Sequence, residues 1–274
     1  MSHTLNRMGL RLGAVLTTVG LVAGGLLLSS PGAATGAPPV FPLDHFLCYQ
    51  ARVAAPPVPP NILLQNQIQT TPFAPTFGSA TVHCNPANKT VPRAKFPARN
   101  PLAHLLCWKI NYKFAPVLVE LANQFGKGLF HTGSPSKLCL PSWKDNIAPP
   151  GSVQGSFPKG LDHLTCYPLR PVQYAFRPSA PVKAEDEFSA PRYVTLKLGR
   201  ANELCVPTIK IVAGVAYQPQ GPNDLSLVCF PTSPTPYWKQ VFDSNQFGGQ
   251  VVYPNNKLEK FCLPSTVSVQ GPAA

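Results

Sequence analysis

The feature that most constrains the fold is a cysteine-bounded unit that occurs four times along the chain. Its clearest copy, residues 162–207, opens with DHLTCY and closes with ELCVPT. The first cysteines of successive units are 59, 59 and 63 residues apart. Such a regular period indicates internal duplication and restricts the fold to one that a repeated unit can build. The first cysteines are Cys48, Cys107, Cys166 and Cys229, and the second cysteines are Cys84, Cys139, Cys205 and Cys262.

Other positions recur in every unit. An aromatic residue follows each first cysteine, and a proline stands two residues after each second cysteine. Between them lies a slot triplet of Asn or Asp, Gln or Glu, and Phe, with Ile in the first copy. We interpret the aromatic residues as core anchors, and the glycines after two of the triplets, Gly126 and Gly248, as turn residues with positive φ. The recurring residues are Tyr49, Trp108, Tyr167 and Phe230; Pro86, Pro141, Pro207 and Pro264; and the triplets 66–68, 123–125, 186–188 and 245–247.

The pattern around the first cysteines predicts strands. Between His104 and Ile110 both alternating faces carry apolar groups, which is typical of a strand buried on both sides. Proline accounts for 34 of the 274 residues and disfavours long helices. Residues 116–126 could form a helix, but the equivalent segments of the other units lack a helical stripe, so we favour a strand there. We expect the proline after each second cysteine to end its strand.

About four short strands per unit predict an all-β fold of four tandem repeats, each stapled by a disulfide. The repeats span residues 38–100, 101–156, 157–220 and 221–274. The linker 147–161 contains Pro149, Pro150 and Gly151, a composition typical of a boundary. We therefore expect two domains of two repeats each, because one unit is near the lower size limit for independent folding.

Residues 1–37 are typical of a secretory signal peptide. Arg7 and Arg11 precede an apolar run from Gly13 to Leu28, and small residues then lead to Ala37. This order of basic, apolar and small residues predicts export. We therefore expect the remainder of the chain to be secreted or held in the cell envelope, with no transmembrane segment after cleavage.

All eight cysteines lie in the part expected to be exported, where oxidising conditions favour disulfides. The repeat favours bridges within each unit: Cys48–Cys84, Cys107–Cys139, Cys166–Cys205 and Cys229–Cys262. The alternative is a closed ring of bridges between units, which joins Cys84 to Cys107, Cys139 to Cys166, Cys205 to Cys229 and Cys48 to Cys262.

A histidine stands three residues before the first cysteine in three of the units, at His45, His104 and His163. An H-x-x-C pair suggests a metal ligand, but a bridged cysteine has no thiolate to offer, and the fourth unit has Ser226 at this position. We therefore interpret these histidines as structural, hydrogen-bonded to backbone or to Asp44 and Asp162 beside them, and we predict no metal or cofactor site.

The sequence contains no nucleophile elbow, zinc helix, phosphate-binding glycine loop or calcium-binding loop. Only 11 carboxylates are present, and most stand singly. The densest acidic stretch, 185–187, could bind calcium, but we interpret it as a solvated loop. No catalytic residue is predicted.

Basic charge is the most usable functional signal. The formal net charge is +12, and no acidic residue occurs between His45 and Val119. Such a surface attracts anionic polymers. The candidate binding residues are Lys89, Arg93, Lys95 and Arg99, and the expected partner is an anionic envelope polymer or glycan. Nucleic acid is disfavoured because no recognition motif accompanies the charge. The alternative is that the charge only keeps an exported protein soluble.

The combination of DHLTCY, the slot triplet and ELCVPT resembles a family of uncharacterised exported bacterial proteins with tandem HxxCY…NQF…LCxP units. The resemblance covers residues 44–266 and implies a bacterial domain of unknown function, with no activity to transfer. Ile68 and Asn85 in the first unit and Ser226 in the fourth depart from the pattern. The expected function is a non-enzymatic binding or structural module of the envelope or extracellular space. The alternative is a secreted hydrolase acting on an extracellular polymer.

Overall fold

A computed structural model describes residues 43–53, 61–145, 158, 160–173, 176–221, 225–233 and 240–272. The predicted signal peptide and most of the linker 147–161 lie outside these residues. Within them the chain is all-β, as predicted, and no described helix is long and apolar enough to cross a membrane. The sixteen strands are β1 (His45–Arg52), β2 (Ile62–Asn66), β3 (Thr76–Val91), β4 (Ala94–Phe96), β5 (His104–Asn111), β6 (Val117–Asn123), β7 (Gly126–Thr132), β8 (Lys137–Asp145), β9 (Leu164–Gln173), β10 (Val182–Glu185), β11 (Val194–Leu196), β12 (Glu203–Val212), β13 (Val215–Tyr217), β14 (Leu225–Pro231), β15 (Val241–Asn245) and β16 (Gly248–Pro272).

Eight strands, two from each repeat, form a closed antiparallel sheet that we call the cylinder. Each repeat gives the strand of its first cysteine and the strand of its second. They pair in the order β1–β3–β5–β8–β9–β12–β14–β16, and β16 pairs with β1 to close the ring. The expectation of two domains with two repeats each is therefore wrong. Closure removes the exposed strand edges that half a ring would leave unpaired.

The eight cysteines share one layer inside the cylinder. In each repeat the first cysteine lies directly opposite the second, with Cα atoms 3.8–4.0 Å apart. All four bridges lie within repeats, the arrangement that the period favours. Neighbouring bridges also touch: the Cys48 sulfur lies 3.7 Å from that of Cys262, and the Cys139 sulfur 3.6 Å from that of Cys166.

The opposite faces of the cylinder strands are also buried, as the apolar character of both faces predicts. The aromatic residue after each first cysteine points away from the cysteine layer and is at most 1% exposed. The remaining strands cover it from outside. The segment that could have been a helix is the strand β6, which forms a hairpin with β7. At its turn Gly126 has a φ of +132°, and Gly248 has +103° in the hairpin of β15 with β16, as predicted.

The expectation that proline ends the second-cysteine strand is wrong, because all four strands continue beyond it. Pro86 pairs with Phe46 and β3 extends to Val91. What ends is the pairing with the next repeat. On that side the last residue in register is the second cysteine itself, in each of the four ladders. Proline has no backbone N–H to donate. It lies two residues beyond the last residue that pairs with the next repeat, where no donor to that strand is needed.

Beyond each proline the freed edge accepts a strand from the opposite repeat. β12 pairs with β2 of the first repeat, and β16 pairs with β6 of the second. β3 pairs with β10 of the third repeat, and β8 pairs with β15 of the fourth. Every repeat therefore contributes a slot strand to the repeat two places along the chain.

Peptide mapping should recover the four bridges within repeats. Because sulfurs of neighbouring bridges are 3.6–3.7 Å apart, a trace of thiolate could exchange them. The digest is therefore carried out at acidic pH with free thiols blocked, and a parallel digest at alkaline pH with a trace of thiol serves as the exchange control. A Cys84–Cys107 or Cys48–Cys262 peptide in the acidic digest would contradict the arrangement.

Candidate functional site

The first residue of each slot triplet builds a turn. Its side-chain oxygen accepts a hydrogen bond from the backbone N–H two residues later, the geometry of an Asx turn. This explains why only Asn or Asp occupies the position. The four N···O distances are 3.0 Å at Asn66, 2.8 Å at Asn123, 3.1 Å at Asp186 and 2.8 Å at Asn245.

The same side chain fixes the slot to the opposite repeat. The Asn123 amide donates to Ser265 Oγ at 3.0 Å, and the Asn245 amide to Ser142 Oγ at 3.3 Å. Asp186 instead accepts from Tyr49 Oη at 3.0 Å and from the Asn85 amide at 2.9 Å. Asp186 is therefore buried structure, and the interpretation of residues 185–187 as a solvated loop is wrong at this residue.

The second residue of each triplet contacts the histidine position of the preceding repeat. The pairs form a ring, in which the first repeat's glutamine meets Ser226 of the fourth. The contacts are Gln124–His45 at 3.2 Å, Glu187–His104 at 3.4 Å, Gln246–His163 at 3.1 Å and Gln67–Ser226 at 3.4 Å. The histidines are thus buried partners of the slots. Their expected partners were wrong, because Asp44 and Asp162 accept backbone N–H groups of the loops at 99–100 and 220–221.

The third residue of the triplet packs near a buried lysine in three of the repeats. These lysines stand five residues after the second cysteine and place the ammonium over an aromatic ring. In the fourth repeat the equivalent of the lysine is Val267, and its slot partner from the first repeat is Ile68. The ammonium group and the aromatic side chain are therefore both absent from this pair. The Nζ-to-centroid distances are 5.9 Å for Lys89–Phe125, 4.4 Å for Lys144–Phe188 and 5.5 Å for Lys210–Phe247.

Lys89 therefore does not belong to an exposed basic surface, contrary to the sequence-based assignment. It is 1% exposed, and its Nζ lies 3.9 Å from the centroid of Phe96, with no hydrogen-bond partner among the described residues. Burial lowers the pKa of Lys89 from 10.5 to about 7, because desolvation penalises the charged form. Burial likewise lowers the pKa of Lys210 to about 8.

The exposed part of the basic stretch lies on the other side of the same strands. β4, the end of β3, β10 and β11 form a four-stranded sheet. Lys95 and Lys183 both pair with Thr90, one from each side, and Thr195 pairs with Lys183. Lys95, Lys183 and Thr195 are exposed, whereas Lys89 of the adjacent row points into the core. The sheet therefore has one apolar and one basic side.

We call this outer side the basic face. It comprises Thr90, Arg93, Lys95, Lys183, Tyr193, Thr195 and Lys197. Tyr193 and Lys197 flank β11, two residues on either side of Thr195, and both are exposed. Tyr193 is 46% exposed. Glu185 follows Lys183 by two residues on the same side of β10 and is half-buried, so the face sets four cations against this one carboxylate. Arg99 is also exposed but lies beyond β4, in the loop held by Asp44.

Sequence reasoning missed Lys183 and Lys197 because they belong to the third repeat, far along the chain from Lys95. No local signal links them, since only the exchange of slot strands brings β10 beside β3. The buried lysines do have a local signal in the sequence, namely their constant spacing of five residues from Cys84, Cys139 and Cys205.

A second polar cluster is buried between the repeats. Asp243 Oδ2 lies 3.2 Å from His83 Nδ1, and His83 Nε2 lies 2.8 Å from Asn85 Oδ1. His104 Nδ1 lies 3.1 Å from the same oxygen and contacts Glu187 on its other side. Burial, with repulsion from His83 and a nearby lysine, lowers the pKa of His104 well below 6.5. The residue types suit proton transfer, but the two histidines and Asp243 are at most 1% exposed, so a substrate cannot reach them.

Among the described residues, one group of potential metal ligands clusters closely: the sulfurs of Cys139, Cys166 and Cys205. All three are bridged, and a bridged sulfur is not a thiolate ligand.

Comparison of the chain with family models, with curated proteins and with solved structures finds no match.

Replacing Lys89 by methionine should stabilise the protein at neutral pH, by on the order of 2 kcal/mol. Between pH 7 and 10.5 the folded state binds fewer protons at this residue than the unfolded state, so the free energy of unfolding of the wild type rises with pH across that interval. The advantage of Lys89→Met should therefore shrink as pH rises. Denaturant unfolding at about pH 7 and about pH 9.5 measures it.

The matched control is Lys95→Met, which removes an exposed lysine from the same hairpin. It should change the stability little at either pH. An advantage of Lys89→Met that is independent of pH would contradict a buried lysine with a lowered pKa.

Proposed function

We propose that this chain is an exported, non-enzymatic binding protein whose basic face holds an anionic polysaccharide of the cell envelope or extracellular space. The observation that carries the proposal is the pairing of Lys95 and Lys183 on either side of Thr90. It places cations from two distant repeats in one row on a sheet.

The openness of the basic face favours a polymer over a small molecule. The face is one side of a sheet, and Lys95 and Lys183 stand two strand spacings apart, about 10 Å. A chain with recurring anionic groups can meet both lysines and continue towards Arg93 or Lys197. A single small anion would contact one cation at a time and gain little in high dielectric.

The uncharged groups of the face favour a saccharide. Thr90 and Thr195 offer hydroxyl groups beside the lysines, and Tyr193 presents an exposed ring with a polar tip. An amphipathic ring of this kind can stack on the C–H face of a sugar while its hydroxyl group hydrogen-bonds. Anionic polymers without sugars would use the lysines alone.

The support beneath the face suits a preorganised binding surface. Val182, Ala184 and Leu196 are at most 2% exposed and anchor β10 and β11 to the core. The strands that carry the cations are thereby held in register, and less ordering is required when the polymer binds. Four disulfides are compatible with the oxidising compartment that the predicted signal peptide implies.

The described cavities give no support to a secreted hydrolase. Retaining or inverting sugar hydrolysis needs two carboxyl groups facing one cleft. The described linings of the main cavities contain one carboxylate each: Glu259, Glu203 and Asp162. No observation within the described residues therefore favours this alternative.

The variant Lys95→Gln/Lys183→Gln should bind polygalacturonate at least about tenfold more weakly than the wild type, with a shallower dependence on salt, because two screened contacts are lost. Binding is measured by titration at low and high salt. The control, Lys113→Gln/Lys127→Gln, removes the same charge from two exposed lysines outside the basic face.

Two comparisons decide the interpretation. Equal losses in the two double variants would show that net charge alone governs binding. Equal affinity for polyglutamate and for polygalacturonate would contradict a saccharide-specific face, and neutral dextran defines the background.

A further inference from the structure

One end of the cylinder closes with a charged cluster. In each repeat the residue two positions before the second cysteine points inward above the cysteine layer, and these residues are Val82, Lys137, Glu203 and Lys260. Glu203 forms ion pairs with both lysines. The cluster is therefore one carboxylate between two ammonium groups, and it leaves one positive charge in excess.

Glu203 is buried, yet its environment favours the ionised form. The side chain of Glu203 is 6% exposed, and those of Lys137 and Lys260 are 18% and 12% exposed. Burial alone would raise the pKa of Glu203, but attraction to Lys137 and Lys260 outweighs it and lowers the pKa below 4.5. The interior below the cluster is nearly filled, since the space among the cysteines amounts to about 20 Å³.

The first repeat interrupts this charged end. Val82 replaces a charged residue there, and beside it lies a cavity of about 630 Å³. Its described lining is Gln50, Ala51, Arg52, Val53, Ser79, Ala80, Thr81, Val82, Lys137 and Glu259. The volume falls within the range of about 300–1,000 Å³ that is typical of small-molecule sites.

Backbone irregularities shape the cavity wall. The ladder between β3 and β5 shifts register between Phe77 and Ala80 and again between Ala80 and Val82. The ladder between β1 and β16 shifts between Tyr49 and Ala51. Bulges re-aim side chains and are frequent at the rims of closed sheets and beside binding sites. The equivalent ladder from β12 to β14 has no such shift, so the distortion belongs to the side of the ring that holds the cavity.

The chemistry of the lining is divided. Ala51, Val53, Ala80 and Val82 give an apolar wall that is at most 7% exposed. The cavity lining also carries two positive charges, on Arg52 and Lys137, and one negative charge on Glu259, a net +1. Arg52 is exposed and forms no ion pair with a described residue. A ligand that completes the site needs one anionic group and an apolar body.

We propose that this cavity binds a small organic acid, with its carboxylate held by Arg52 and Lys137 and its apolar body against Ala80 and Val82. Arg52 provides the planar pair of donors that matches a carboxylate. The cavity is distinct from the basic face, which lies on β4, β10 and β11, so the two sites can fail independently.

Benzoate and its uncharged analogue benzamide test the proposal, with calorimetric titration of the oxidised protein as the readout. Wild-type protein should bind benzoate at least about tenfold more tightly than benzamide. Arg52→Gln should reduce benzoate affinity by about tenfold and leave benzamide unchanged. Ser79→Trp, at an exposed residue of the lining, should abolish binding of both by filling the cavity.

Arg93→Gln removes the same charge from the basic face and should leave both affinities unchanged. The proposal is overturned by equal affinities for benzoate and benzamide, by the absence of benzoate binding at millimolar concentration, or by unchanged binding in Ser79→Trp. If the wild-type protein binds benzoate but does not bind polygalacturonate, the result counts against the proposed function alone.

Discussion

The structure depends on four cross-strand disulfides that share one layer inside a closed sheet. In each repeat the two cysteines lie directly opposite each other on paired strands, and their side chains face the narrow interior of the eight-stranded sheet. Four cystines fill this layer in place of larger apolar groups. Because the inner face is filled by sulfur, the aromatic residues on the outer face are left to build the main core, and the outer hairpins must cover them.

The repeats are interlocked and not merely arrayed. The first residue of each slot triplet forms a hydrogen bond with the repeat two places along the chain. The second residue contacts the preceding repeat. A single repeat, or a pair cut from the ring, would expose both sets of partners. The unit of burial is therefore the whole ring and not the repeat, so the size of one repeat and the composition of the linker 147–161 do not indicate a domain boundary.

The sequence predicted the features that repeat locally and missed those that depend on exchange between repeats. The all-β class, the strand at 117–123 and the turn glycines followed from period, patterning and backbone chemistry. The partners of the histidines could not be predicted, because Gln124 and Gln246 reach them only through neighbouring repeats. The prediction that proline ends the strand was wrong for a related reason. A strand in a closed sheet pairs on both edges, and at Pro207 the pairing of β12 with β14 has ended while its pairing with β9 continues. Lys89 was assigned to the surface from its charge, although its row in β3 faces the core.

Closure of the cylinder by β16 and β1 has a consequence for how the chain reaches this state. Cys48 and Cys262 become neighbours across a separation of 214 residues, so the last ladder joins the two most distant strands of the sheet. Chains dominated by contacts of such long range fold slowly, because loop closure is unfavourable before the contacts form. Each bridge spans 32–39 residues and can form while the ring is still open. Oxidation would then convert one long search into the docking of four stapled hairpins, and the rate of bridge formation would set the rate of maturation.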